Sequence, residues 1–99
     1  MSIKPHERRL FARHKAEAAA VVRFSGVEEK CYIIDISSGG VQIKAKKLPA
    51  VGDVVILRFG TIGEVSAQVV WQQDDRCGLN FVGDERVISE LVMAIAIYG

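Results

Sequence analysis

From Ala19 onward the chain alternates apolar and polar positions with period two, in short runs cut by glycine and aspartate, which is the signature of half-buried strands. Ala20, Val22 and Phe24 alternate with Ala19, Val21 and Arg23, and Ser25-Gly26 ends the run as a turn. A second run, about Lys30 to Ile36, places Tyr32, Ile34 and Ile36 on one face, assigned here to the interior, and Cys31, Ile33 and Asp35 on the other. Gly39-Gly40 breaks it, and Val41, Ile43 and Ala45 begin a third strand, so the pair reads as a hairpin with a glycine turn. After the loop Leu48 to Gly52, Val55, Leu57 and Phe59 mark a fourth strand, ended by a turn from Gly60 to Gly63. Val65, Ala67, Val69 and Trp71 mark a fifth, and Asp74-Asp75 turns the chain into a sixth with Cys77, Leu79 and Phe81.

The period then changes. Asp84 is placed to cap a helix, Glu85 lies favourably in its first turn, and Val87, Ile88, Leu91, Val92 and Ile95 form one apolar stripe at helical spacing. Six short strands and one closing helix predict a mostly β domain, a small six-stranded antiparallel β-barrel with a C-terminal α-helix over one end or over an open seam. The domain is expected to span residues 16–99. Residues 1–15 are polar, basic and interrupted by Pro5, and are expected to form a flexible basic N-terminal strap.

At 99 residues, with 49% hydrophobic and 25% charged positions, the chain suits one globular domain able to bury a core without staples. Net charge is only +1, which argues against a broad nucleic-acid face. The charge is uneven. Residues 1–15 carry five basic side chains against Glu7, a net +4, while residues 16–99 carry eight basic against eleven acidic, a net −3. A cationic strap on a mildly acidic body suits a small anion better than a long polyanion. Cys31 and Cys77 lie far apart in apolar stretches, and His6 and His14 fall outside any cysteine pattern, so the thiols read as core residues in a reducing compartment and no metal site is expected. Val87 to Tyr98 is interrupted by Ser89 and Glu90 and is too short to span a bilayer. A cytoplasmic protein without membrane insertion is expected.

Two short motifs carry candidate chemistry. Asp35-Ile36-Ser37-Ser38-Gly39-Gly40 reads DxSxxG, and residues two apart on a strand leave the same face. A carboxylate there can accept two parallel hydrogen bonds from the ring N–H and amino group of guanine, donors that adenine does not pair in that way. Ser37 adds a hydroxyl, and Gly40 can take a positive φ and admit a ligand close to the backbone. The same residues are also turn formers that bond their own backbone. Arg9-Leu10-Phe11-Ala12-Arg13 reads RxxxR with Arg8 directly before it. Guanidinium groups fork onto phosphate oxygens, bond the O6/N7 edge of guanine or stack on a purine, whereas an isolated basic pair of this kind is more often a solvated tail.

The order RxxxR then DxSxxG, followed by alternating strands, the Gly78-Leu79-Asn80-Phe81 segment and a short terminal helix, resembles the PilZ domain family of bacterial cyclic di-GMP receptors, from about Glu7 to Ala96. The resemblance implies that Arg9 and Arg13 clamp the phosphates and a guanine, and that Asp35, Ser37 and Gly40 hold a guanine on the barrel surface. It also implies that Arg8 goes with an intercalated pair of cyclic di-GMP molecules. On this reading the chain is a receptor or adaptor that changes conformation on binding and signals to a downstream protein, with no cofactor beyond the ligand. No nucleophile–base pair, acidic pair or Walker-type loop marks an enzyme.

An interaction module with weak or lost nucleotide binding is the alternative from another class. A single-strand nucleic-acid barrel would need a stacking platform and a basic groove, and seven aromatics at mostly core-facing positions with a near-neutral charge argue against it. Trp71 is read as core packing first and as an edge of the ligand site second. Lys44, Lys46 and Lys47 are read as a solvated face before phosphate contacts. The stretch Met93 to Tyr98 is apolar nearly all round, a character that a homodimer contact, a docking surface or a loosely ordered terminus would each explain.

Overall fold

A computed structural model describes residues 18–98. Six strands, β1 (Ala19–Phe24), β2 (Val27–Ile36), β3 (Gly40–Lys44), β4 (Val54–Phe59), β5 (Gly63–Gln73) and β6 (Arg76–Val82), precede one helix, α1 (Glu85–Tyr98). They form a closed barrel in the order β1-β2-β3-β6-β5-β4, with β4 returning to pair with β1 and every pairing antiparallel. Closure leaves no strand edge open to another chain. The β1–β2 turn needs only two residues because Ser25 (φ 51°) and Gly26 (φ 75°) both take positive φ, and that backbone twist matches the twist of the strands it joins.

Alternation predicts the interior of most strands. Ala20 and Val22 of β1, Val41 and Ile43 of β3, Val55, Leu57 and Phe59 of β4, Val65, Ala67 and Val69 of β5, and Cys77 and Leu79 of β6 are all buried. In β2 it does not. Cys31, Ile33 and Ile36 are inside, whereas Tyr32 is 53% exposed and Ile34 is half-buried. The cause is a bulge: Ile33 faces Ile43 but Asp35 faces Gln42, so Ile34 is an extra residue that shifts the phase of the strand. Tyr32 and Ile34 are therefore not interior residues, and Ile36 is. A second bulge lies in β5, where Val69 faces Leu79 and Trp71 faces Gly78, leaving Val70 as the extra residue. Trp71 is turned outward, 38% exposed, which corrects its reading as a core residue.

Asp84 caps α1 as expected. Its Oδ1 accepts from the Arg86 N–H at 2.8 Å and its carbonyl accepts from the Ile88 N–H at 3.0 Å, satisfying donors that the first helical turn cannot. Ile88, Val92 and Ile95 join the barrel core, with Leu91 partly buried beside them. Val87 is exposed, so the buried stripe is narrower than the helical spacing suggests. A Cβ on Gly63 would touch the Leu91 side chain, and Ile95 shares one cavity wall with Ala18, Phe59 and Ile62. The helix thus lids the barrel end where β1 and β5 begin and β4 finishes.

Both cysteines are free and buried. Burial, with the Cys77 and Glu29 charges adding to it, pushes the Cys31 thiol up to about 12, and burial pushes Cys77 up to about 11. A thiol whose folded pKa lies above its ordinary 9.0 stabilises the fold fully below that pH and loses the contribution as pH rises toward 11 to 12. Neither thiol should react with a disulfide reagent at about pH 8 without unfolding. Native-state labelling at the rate of a free thiol would contradict this. Among the described residues no group of side chains is placed to hold a metal ion, and no helix is long and apolar enough to cross a membrane.

Candidate functional site

The outer face of the β3–β6 pair is unusually bare. Gly40 faces Asn80 and Gln42 faces Gly78, and because the neighbouring Val41, Cys77 and Leu79 point inward, these four residues are the outward positions. The half-buried Gly40 and two amides therefore make a floor of neutral donors and acceptors, while Gly78 is buried beside them. Asp35 and Ser37, at the end of β2, form one wall and Trp71 on the bulged β5 forms the other, around a shallow open groove of about 590 Å³.

Asp35 and Ser37 are half-buried. The turn they flank is held by backbone alone: the Ser37 N–H donates to the Gly40 carbonyl at 2.9 Å and the Phe81 N–H donates to the Gly39 carbonyl at 3.1 Å. Among the described residues no hydrogen bond or ion pair uses the side chain of either Asp35 or Ser37. The turn-forming role that competes with ligand binding is therefore not what these two side chains do here. Asp35 is also the single ionisable side chain among the described residues lining the groove. A site with one carboxylate and no cation suits N–H donors, and leaves phosphates to be met from elsewhere.

Gly40 is needed for a different reason from the one its motif suggests. It is absent from the positive-φ residues, so no left-handed backbone is at issue. Instead, a Cβ at Gly40 would run into the Leu79 carbonyl of the adjacent strand. Gly78 answers to a similar constraint from outside the barrel, because the five-membered ring of Trp71 occupies the place its Cβ would take.

The alternation of β3 and β6 already placed Gln42, Gly78 and Asn80 outward, and only their adjacency to Gly40 was hidden. Trp71 had no such signal, because its exposure depends on the bulge at Val70. A Gly78→Ala variant is expected to fold and to displace the indole of the protein's one tryptophan, shifting its fluorescence emission. An unchanged spectrum would mean that the ring does not rest on Gly78. Lys44 and Lys46 are exposed and lie outside this groove, and Lys47 is exposed as well. Arg8, Arg9 and Arg13 lie outside the described residues, as does the expected strap of residues 1–15.

Comparison with curated proteins by sequence finds no match. Among solved structures the fold is similar to PlzA of Borreliella burgdorferi, described in complex with c-di-GMP, with a TM-score of 0.58 and 19% identity over 77% of this chain. The chain spans only 32% of that protein's length. It is also similar to the PilZ domain of CeSA from a cellulose-synthesizing bacterium, with a TM-score of 0.64 and 15% identity, covering 81% of this chain and 89% of the other. The model of the PilZ domain matches residues 7–95, from before the first arginine of RxxxR to the buried end of α1, and the chain is a member of the PilZ domain family.

Proposed function

We propose that this domain is a receptor for cyclic di-GMP in the bacterial cytoplasm, which holds a guanine of the ligand in the groove between Asp35 and Trp71. The observation that carries the reading is that Asp35 and Ser37 open onto a groove floored by Gly40, Gln42 and Asn80 without being engaged by other described residues, in a chain of this family. The Asp35 carboxylate accepts from the ring N–H and amino group of guanine, Ser37 supplies a hydroxyl at the same edge, and the purine lies over Gly40 beside the Trp71 indole. Adenine does not pair those two donors, so the base is selected by what would be left unsatisfied.

The described residues of the groove offer no cation to the phosphates, and the basic segment preceding β1 supplies three. Arg9 and Arg13 clamp the phosphates with charge-assisted hydrogen bonds, and Arg8 stacks on or bonds to a second, intercalated ligand molecule. In this mechanism residues 1–15 are a strap that closes over the ligand. Its ordering costs conformational entropy that those contacts offset, and the new composite surface is what a downstream protein reads. Amide hydrogen exchange over residues 6–15 is expected to slow when cyclic di-GMP is added, and equal exchange with and without it would remove the strap from the mechanism.

Calorimetric titration with cyclic di-GMP, GTP and a short oligonucleotide tests the function itself. Cyclic di-GMP alone is expected to bind, at two molecules per domain, and to raise the melting temperature, since a ligand that prefers the native state stabilises it. No heat and no shift at about 100 µM ligand would reject the reading and favour an interaction module. One ligand per domain in place of two would reject only the intercalated pair.

A further inference from the structure

The four lysines of residues 18–98 are Lys30, Lys44, Lys46 and Lys47, and the fold gathers the first three around one groove, on a body of eight basic and ten acidic side chains whose net charge is −2. Lys44 faces Tyr32 across the β2–β3 pairing and faces Arg76 across the β3–β6 pairing, so Tyr32, Lys44 and Arg76 form one row on the outer surface. Lys30 lies two residues before Tyr32 on the same face, and Lys46 lies beyond the end of β3. All five side chains are exposed. Lys30, Tyr32, Lys44, Ala45 and Lys46 line a groove of about 610 Å³, with Glu29 and Asp75 also contributing to it. The acidic neighbour Glu28 is turned toward Arg23 and Arg58, at 3.8 and 3.5 Å, and Lys44 sits 3.6 Å from Asp75. A surface pair of this kind is screened and weakly held, which leaves Lys44 exchangeable.

We propose that this groove docks an acidic segment of a partner protein, one that places an apolar side chain on the Tyr32 ring between carboxylates paired with Lys30, Lys44 and Lys46. Charge complementarity selects the occupant. The lysine ammonium groups are separated by an aromatic ring, an alanine and the methylene stems of the lysines themselves, which provide apolar contact below the charges. An acidic peptide matches that mixture because it interleaves carboxylates with apolar side chains, and a tyrosine with surrounding cations is the kind of anchor protein interfaces favour. A phosphodiester strand matches it poorly. Three strands about 4.8 Å apart give a patch too narrow for such a strand to track.

The patch is not part of the nucleotide site. It lies toward the other end of the β2–β3 hairpin from Asp35 and Ser37, so it can be tested without any nucleotide. Fluorescence anisotropy with a labelled nine-residue peptide of glutamates around a central phenylalanine is expected to show saturable, salt-sensitive binding. The double variant Lys30→Glu with Lys46→Glu, and Tyr32→Ala alone, should each weaken it by at least about tenfold, while Arg86→Glu on the helix leaves it unchanged. No saturation by about 1 mM peptide, or equal binding by all variants, would overturn the proposal. Tighter binding of a single-stranded oligonucleotide of equal charge, or of phosphatidylserine vesicles, would overturn it as well. Amide chemical shifts of the unmodified protein provide a check that needs no variant: peptide should perturb Tyr32, Lys44 and Ala45, and perturbation confined to the opposite side of the barrel would place the contact elsewhere.

Discussion

Replacing Asp35 by alanine is expected to weaken cyclic di-GMP binding by about 2 to 5 kcal/mol while leaving the melting temperature of the free domain nearly unchanged. The two halves of this expectation have separate causes. Binding suffers because the ring N–H and amino group of a guanine seated in the groove would lose their shared acceptor, and truncating one partner of a charged pair leaves the other unpaired. Stability does not suffer because no hydrogen bond or ion pair with another described residue uses the Asp35 side chain, and the Ser37 to Gly40 turn is closed by the backbone. Preference for guanine over adenine nucleotides should relax in the same variant, since the carboxylate is what distinguishes them. Arg13→Ala is expected to lose a similar amount of affinity through unpaired phosphate, without relaxing base preference. Calorimetry on both variants separates the roles. An Asp35→Ala protein that unfolds would assign the carboxylate to the fold, and an Arg13→Ala protein that binds like wild type would remove that arginine from the clamp.

The largest effect on stability is expected from the lid of the barrel. Ile95 is 1% exposed and packs into the core from the last turns of α1. Ile95→Ala should cost about 2 to 5 kcal/mol, the sum of lost apolar transfer and the cavity left where a closed barrel is unable to collapse. For a domain of this size that corresponds to a fall in melting temperature of roughly 10 °C or more. Met93, two residues earlier on the same helix, is 50% exposed, and Met93→Ala should shift stability by less than about 1 kcal/mol. Thermal or urea unfolding of the two variants tests whether α1 is an integral wall of the core. Equal small effects would mean that the barrel end is closed without it. Both variants should retain nucleotide affinity below their transitions, because the groove lies across β3 and β6 and contains no residue of α1.

Much of this protein is determined locally and could be read along the chain. Strand positions follow from alternation, the turns from Ser25-Gly26 and Asp74-Asp75, and the helix start from Asp84, because each rests on contacts within a few residues. The pairing of Asp35 with Ser37 in one motif, ahead of Gly40, was legible for the same reason. The two bulges were not. Cys31 to Ile36 is apolar on both faces, as is Val69 to Trp71, so alternation offers no contrast by which to detect an extra residue. Each bulge instead follows from how the strand pairs with its neighbours. Those two residues, Ile34 and Val70, decide that Tyr32 faces solvent and that Trp71 stands beside Gly78. The use of Gly40 for close approach to the Leu79 carbonyl, where the motif suggested a positive φ, likewise exists only once β6 lies against β3. The same holds for the lysine cluster, since Lys30 and Lys44 come from different strands and share a groove only through the pairing of β2 with β3. Local chemistry chose the elements and their turns. Pairing between distant segments chose which side chains share a surface, because strand phase and neighbour identity are properties of the closed barrel and not of any one strand.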